Sequence, residues 1–450
     1  MKIVKTLRYK IKSHTQIFDE TLRIYREALD HIIQVIDQEY PSLMNVSVNT
    51  MVLSVEKLIH STKKNPTPKY TEFDQRFYKF PSYLRRSAIA EAFGILKSYR
   101  TRYDDWFKKR EQAIRDGRRF KKKPPRLGGY HQAFPVFYKG NMFTRTGETT
   151  GKIKIFHQND WVWVDIHFKG QDLKKRGVTD WKENNPALVK VGKKYFLHIS
   201  YESKIKLSDT KLENQKVCAV DLGLTNSAVC SIIDAKGTVV ARKFINQATE
   251  KDRLYHMTNK LRKAQRQSGC ISAPHYWRRI NGLQKHIVND TAHEITQFAT
   301  AYSADVIVFE YLDRMKIPKG IFGAKKLRFK LHYWRKKGIQ NKVTTMAHYA
   351  GIRVTRVNAR NTSKLAFDGS GEVERNKRKD LCTFTTMKRY HADLNASYNI
   401  GARYYLRAYQ KSISEMRWLP VKAKVPSLAK RTSQTLASLI SYHQATHRCV

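Results

Sequence analysis

The run Val217–Ser227, VCAVDLGLTNS, is an apolar strand pattern that stops on Asp221 and turns through Leu-Gly-Leu-Thr-Asn. The arrangement recurs in DVIVFE, where a second apolar run stops on Glu310. A third acid, Asp393, opens the helical pattern HADLNASYNIGARYYLRAY. Ligands of open α/β sheets collect at the carboxyl ends of the strands. The pattern therefore constrains this part of the chain to a layered α/β fold in which strand ends carry acids. Asp221 and Glu310 lie 89 residues apart, and Glu310 and Asp393 lie 83 apart, so only the fold can unite them. Once united, the three carboxylates repel one another, and a divalent cation relieves the repulsion. Two Mg²⁺ (or Mn²⁺) ions about 3.5–4 Å apart would clamp a phosphodiester and activate a water. Asp221 would then bridge both ions, with Glu310 and Asp393 each completing one side. Singly, each acid has an ordinary reading: a turn former, a partner for a nearby arginine, or a favourable charge at a helix start.

The first run alone also fits the phosphate loop of actin-like ATPases, whose opening strand and turn look the same. That reading requires a second glycine-rich loop behind a strand. FDGSGE at 367–372 is its one candidate, and no apolar strand directly precedes it.

Upstream, MKIVKTLRYKIK alternates as a strand and has no apolar signal-peptide core. ETLRIYREALDHIIQVIDQEY and SYLRRSAIAEAFGILKSYRTRYDDWFKKR carry apolar residues at helical spacing with basic outer faces. DGRRFKKKPPRLGG reads as a basic loop, broken by proline and glycine. From 134 to 205 the period changes to two, with turns between short runs such as GKIKIFH, WVWVDIHFKG and KYFLHISYE. This predicts an antiparallel β-barrel over 1–14 and 134–214, with a helical domain at 15–133 inserted between its first two strands. Alternating strands and helices over 215–411 predict the α/β domain, and 412–450 reads as a basic C-terminal tail.

Charge narrows the partners. Lysine and arginine number 86 against 38 acids, a net +48 spread along the whole length. Such self-repulsion destabilises a lone compact chain, and a long polyanion relieves it with release of counterions. No run approaches the roughly 18 apolar residues of a membrane helix, so nucleic acid rather than membrane is the expected partner. The five cysteines include no C-x-x-C pair, which fits neither a disulfide framework nor a complete zinc site and suits a reducing cytoplasm. Association with the prokaryotic nucleoid would follow DNA binding.

With these residues in view, VCAVDLGLTN, DVIVFEYLDRMK and HADLNASYNIGAR resemble the three RuvC motifs of TnpB, the transposon-encoded RNA-guided nuclease and ancestor of compact type V CRISPR effectors. LRKAQRQSG with YWRRINGLQKHIVNDTAHEITQF, and HYWRKKGIQNKVTTMAHYAGIRVTRVNARNTS, resemble the family's segments before its second and third motifs. The resemblance implies an RNase H-like (RuvC) domain with Asp221, Glu310 and Asp393 as its catalytic and metal-binding triad. The barrel would be a wedge domain and the inserted helices a recognition domain. It also implies a guide RNA, a double-stranded DNA target beside a short adjacent motif, and hydrolysis of both strands, with a monomer favoured. Base pairing would then carry most of the specificity.

One departure is visible. Family members carry two C-x-x-C pairs that bind zinc between the Thr-Ser signature and the last Asp. Here the first pair falls at Ala366 and Gly369 and the second at Cys382 and Thr385. One thiolate cannot build a site of about four ligands, so a degenerate finger at about 364–388 without zinc is expected. The basic residues Lys121, Lys122, Lys123, Arg278, Arg279, Lys285, Lys325, Lys326 and Arg335 are candidate nucleic-acid contacts. Two other readings stay open: a nuclease-inactive RNA-guided DNA-binding protein, and an RNase H-like transposase.

Overall fold

The computed structural model describes residues 1–13, 16–128, 130–269, 272–313, 331, 333–378 and 380–447. The chain is multi-domain α/β and divides into two compact units, Lys2–Ser203 and, with Met1, Lys204–Val450.

In the first unit, β1 (Lys2–Lys10) leads into helices α1 (Phe18–Gln38), α2 (Tyr40–Leu43), α3 (Val48–Ile59), α4 (Glu72–Arg76) and α5 (Ser82–Arg115). Leu22, Tyr25, Leu29, Ile32, Ile33 and Ile36 of α1 recur at helical spacing, and all are buried. Ser47 caps α3 by accepting the Thr50 amide at 3.2 Å. The chain then returns as β2 (Phe143–Arg145), β3 (Thr150–His157), β4 (Asp160–His167), α6 (Leu173–Arg176), β5 (Lys182–Glu183), β6 (Ala187–Val191) and β7 (Lys194–Lys204). β1, β5 and β6 pair with β7, while β2, β3 and β4 form a second antiparallel sheet. The end of β1 ties the two together: the Ile11 amide donates to Tyr195 O at 3.0 Å and the Lys12 amide to His167 O at 2.7 Å.

The second unit is built on one sheet. Its strands are β8 (Lys216–Asp221), β9 (Ala228–Asp234), β10 (Val239–Ile245), β11 (Val306–Glu310) and β12 (Arg353–Val357), in the order β10-β9-β8-β11-β12. β8 runs antiparallel to β9 and parallel to β11, which is parallel to β12. Strands covered on both faces read as continuous apolar runs, and the two faces explain VCAV and VIVF. Val217, Ala219, Val306 and Val308 pack in one cluster with residues of α10 (Ala392–Ser412). Cys218, Val220, Ile307 and Phe309 pack in another, with α8 (Pro274–Ala301) and α9 (Lys336–Tyr349).

The basic stretch 250–302, whose two runs LYHMTNKLRKAQRQ and YWRRINGLQKHIVNDTAHEITQFATAYS have a helical pattern, is two helices. α7 (Ala248–Ser268) ends on Gly269 in the left-handed conformation, and α8 starts with Pro274 in its first turn. The basic tail, in which SLAKRTSQTLASLISYH reads as weakly amphipathic, holds two helices: α11 (Glu415–Lys424) and α12 (Leu436–His447) bury Trp418, Leu436, Leu439 and Tyr442 in the cluster that holds α10. Their surface charge hides a few well-spaced core residues. Three short strands, β13 (Glu374–Arg375), β14 (Leu381–Thr383) and β15 (Arg389–His391), form an antiparallel sheet just before α10. No helix among the described residues is long and apolar enough to cross a membrane.

Candidate active site

Asp221 and Glu310 are the last residues of β8 and β11, which are parallel neighbours, so both carboxylates leave the same edge of the sheet. Asp393 sits in the first turn of α10, the helix packed on β8 and β9. The fold thus gathers three acids that the sequence holds far apart. Burial, followed by the charges of Glu310 and Asp393, pushes the Asp221 carboxyl well above its ordinary range, against weaker lowering by Arg375 and the Leu222 amide. Glu310 is buried, and desolvation raises its carboxyl too, opposed by Thr362, Arg403 and Arg375.

Neighbours hold each acid in place. The Thr362 hydroxyl donates to Glu310 Oε1, and Gln340 Nε2 donates to the Glu310 carbonyl at 3.2 Å. Asn226 Nδ2 donates to Asp393 Oδ2 at 3.2 Å, linking the turn after β8 to the start of α10. Gly223 lies inside that turn, and a Cβ there would stand 2.7 Å from the Asn226 carbonyl oxygen. Arg375 reaches over from β13 and donates to the Ser363 carbonyl at 3.2 Å. Among the described residues, no three His, Cys, Asp or Glu side chains stand close enough together to form a finished metal cluster. The donor chemistry nonetheless suits a hard cation: three carboxylates in one neighbourhood, two of them raised by burial.

Thr362, Asn226, Arg375 and Arg403 have no assigned role in the sequence reading. Three of them lie inside or beside the motifs that carried the resemblance: Asn226 in VCAVDLGLTN, Thr362 in the Thr-Ser signature and Arg403 in HADLNASYNIGAR. Arg403 is 3% exposed and donates to four carbonyls, those of Gln434, Asn358, Arg360 and Thr432. Desolvation lowers its guanidinium to about 10. On the same stripe of α10, Asn395 and Asn399 donate to Leu365 O at 2.8 and 2.9 Å, and Asn399 also donates to Thr362 O at 2.9 Å. Asn399 Oδ1 in turn accepts the Leu436 amide at 3.2 Å. A second stripe of the helix faces the sheet, where Ser397 meets Ser231 at 2.8 Å and Gly401 leaves no room for a side chain against Ile233 and Ala219.

The expected basic contacts are dispersed. Lys121, Lys122 and Lys123 are exposed in the other unit, outside any helix or strand. Arg278, Arg279 and Lys285 are exposed on α8. Arg335 pairs with Gln284 Oε1 through Nε and Nη2 at 3.1 and 2.8 Å. It lines a cavity of about 550 Å³ whose wall includes Gly223, Leu224 and Thr225 of the Asp221 turn. Lys325 and Lys326 lie outside the described residues.

Over 364–392 the structure has an apolar plug of Ala366, Cys382, Phe384 and Ala392, with Phe367 and Tyr390 against it. Cys382 is buried, and its thiol donates to the Tyr390 carbonyl at 3.4 Å. Gly369 has a positive φ, and Thr385 donates to the Ser370 carbonyl at 2.7 Å.

The Aq_aa04 family matches residues 5–157. A TnpB-like protein, aq_aa05 of Aquifex aeolicus (strain VF5), is 27% identical over 258 residues, 52% of this chain and 82% of the relative. The chain is a relative of the TnpB-like proteins. The resemblance to TnpB carried by the three motifs is thereby borne out. Two solved structures are similar to this TnpB relative at lower identity. One is Cas12f1 in its sgRNA–target DNA complex, with TM-score 0.42, 14% identity and coverage of 89% of this chain and 98% of that one. The other is the mini-RNA-guided endonuclease CRISPR-Cas_phi3, with TM-score 0.48, 11% identity and coverage of 89% and 92%.

Proposed function

We propose that this TnpB relative is an RNA-guided DNA endonuclease that hydrolyses phosphodiesters at one site made by Asp221, Glu310 and Asp393. The observation that carries the reading is the convergence of three acids from three separate elements, with Asp221 raised by burial and then by the charges of the other two. The order β10-β9-β8-β11-β12, with β9 antiparallel to β8, supports an RNase H-like domain. The two linked sheets of the first unit support a barrel-like wedge domain, and α1–α5 between β1 and β2 support an inserted recognition domain. A net charge of +48 suits a chain that follows two nucleic-acid backbones, a guide RNA and its DNA target.

Asp221, Glu310 and Asp393 would hold Mg²⁺ or Mn²⁺. When bound, such ions lower the pKa of a water and neutralise charge on the reacting phosphate. The protein's own part is positional. Thr362 fixes the Glu310 carboxylate, Asn226 fixes Asp393, and Arg375 limits the repulsion among the acids. Burial of Glu310 keeps bulk water from its carboxylate.

The test starts with the full chain and whatever RNA co-purifies with it. That RNA, sequenced and matched to a DNA duplex, directs cutting of the duplex in Mg²⁺. Asp221→Ala removes cutting and retains RNA-directed DNA binding. Wild-type protein that carries no discrete RNA, or Asp221→Ala that still cuts, overturns the reading.

A further inference from the structure

Beside Glu310 lies a cavity of about 730 Å³, walled by the ends of β11 and β12, the loop at 358–363, α10 and residues Arg431 and Gln434. Five arginines line it. Three of them serve the protein itself: Arg403 holds four carbonyls, Arg407 holds Arg356 O at 2.9 Å and Thr355 Oγ1 at 3.2 Å, and Arg356 pairs with Asp313 at 3.0 Å. The remaining two, Arg360 and Arg431, are exposed, and among the described residues neither side chain has a partner. A second observation is independent of charge. Gln434 is 2% exposed, lines the same cavity, and among the described residues its buried Nε2 has no hydrogen-bond partner. Buried donors in folded proteins are nearly always satisfied, so an orphan donor in a cationic cavity indicates an acceptor that the described residues do not supply. Guanidinium groups and an amide N–H match the geometry of a phosphate, which Arg can grip through two parallel bonds.

We propose that this cavity binds a backbone phosphate of the single DNA strand presented to the carboxylates, held by Arg360, Arg431 and the Gln434 amide. The assignment rests on the nuclease reading, which places a strand at Glu310 and so carries its neighbouring phosphates along this wall. The contacts read no bases, because they reach only the phosphate. They fix where the strand lies relative to Glu310.

The test uses the full chain carrying Asp221→Ala, which leaves probes uncut. Binding of a fluorescent thymidine 20-mer is followed by anisotropy across a range of NaCl, with and without the further pair Arg360→Ala/Arg431→Ala. Single-stranded DNA binding loses about 0.7 in log–log salt slope for each phosphate contact removed. The pair, which removes the contact to that one phosphate, is expected to flatten the slope by about 0.7 and weaken binding about fivefold at 0.1 M salt, with an unchanged melting temperature. Gln434→Glu, which sets a negative charge at the orphan donor, is expected to weaken the same probe. An unchanged slope and affinity in the arginine pair overturns the proposal. So does a loss seen only with an RNA 20-mer, which would give the cavity to RNA. Inorganic phosphate that raises the wild-type melting temperature through the same arginines, while DNA binding ignores them, assigns the cavity to a free anion and also overturns it. The two readings fail separately. Wild-type protein that cuts no DNA while the arginines govern the slope removes the nuclease reading alone. Cutting with a silent arginine pair removes this proposal alone.

Discussion

Glu310 shows how one hydroxyl can govern a carboxylate. Thr362 donates to Glu310 Oε1 inside a buried site, and Thr362 is itself 1% exposed. Thr362→Val keeps the shape and removes the donor. Losing a hydrogen bond to a charged group is worth about 1.5–3 kcal/mol, so cutting should slow roughly 10- to 100-fold while guide and target binding stay the same. An unaltered single-turnover rate would remove Thr362 from the positioning role. Asp221 gives a prediction of opposite sign for stability. Its carboxyl is raised in the folded state, so the folded chain holds that proton more tightly than the unfolded chain does. Stability from this group is therefore present at low pH and is lost as pH rises beyond the ordinary carboxylate range. Metal-free Asp221→Asn should melt above the wild type at pH 8, and the gap should close towards pH 4. A lower melting temperature at pH 8 would contradict the assigned repulsion. These acids were legible in the sequence because each interrupts an apolar run or opens a helix. Thr362 and Asn226 were not singled out, since a polar residue in a loop looks alike whether it is buried or solvated.

At the scale of the element, α10 does two jobs with two stripes. Ser397 and Gly401 set it tightly on the sheet, and Asn395, Asn399 and Arg403 hold the loop that carries Thr362. The strands were readable because both faces of β8 and β11 are covered, which forces unbroken apolar runs. The polar stripe was not, because its partners are backbone carbonyls and amides at 358–367 and 432–436, and a carbonyl leaves no mark in a sequence. Asn399→Ala strips partners from Thr362 O, Leu365 O and the Leu436 amide. Leu365 O keeps Asn395, so two buried backbone groups are left bare and the cost is about 3 kcal/mol. Denaturant unfolding at fixed pH measures it, and a change below about 1 kcal/mol would mean that the stripe is not structural.

Across the whole molecule, the segment 364–388 shows how a few apolar residues can hold short strands against a helix. Ala366, Cys382, Phe384 and Ala392 close the space between its short strands and α10 with apolar contacts. Purified protein should contain far less than one zinc per chain by elemental analysis, and stoichiometric zinc would refute this account of 364–388. The shortage of cysteines was visible from counting; the apolar plug was not, because it draws on residues from three places along the chain. The C-terminal helices are only weakly marked in the sequence, by the amphipathic segment SLAKRTSQTLASLISYH, because a basic surface conceals Trp418, Leu439 and Tyr442. The ties from Arg403 and Asn399 to Thr432, Gln434 and Leu436 add a matter of timing during synthesis. The loop that positions Glu310 has its anchors complete only after residue 436 has left the ribosome. A nascent chain can already have folded its sheet and all three acids and still lack a braced site, so maturation of the site waits on residues that emerge about 40 positions after Asp393.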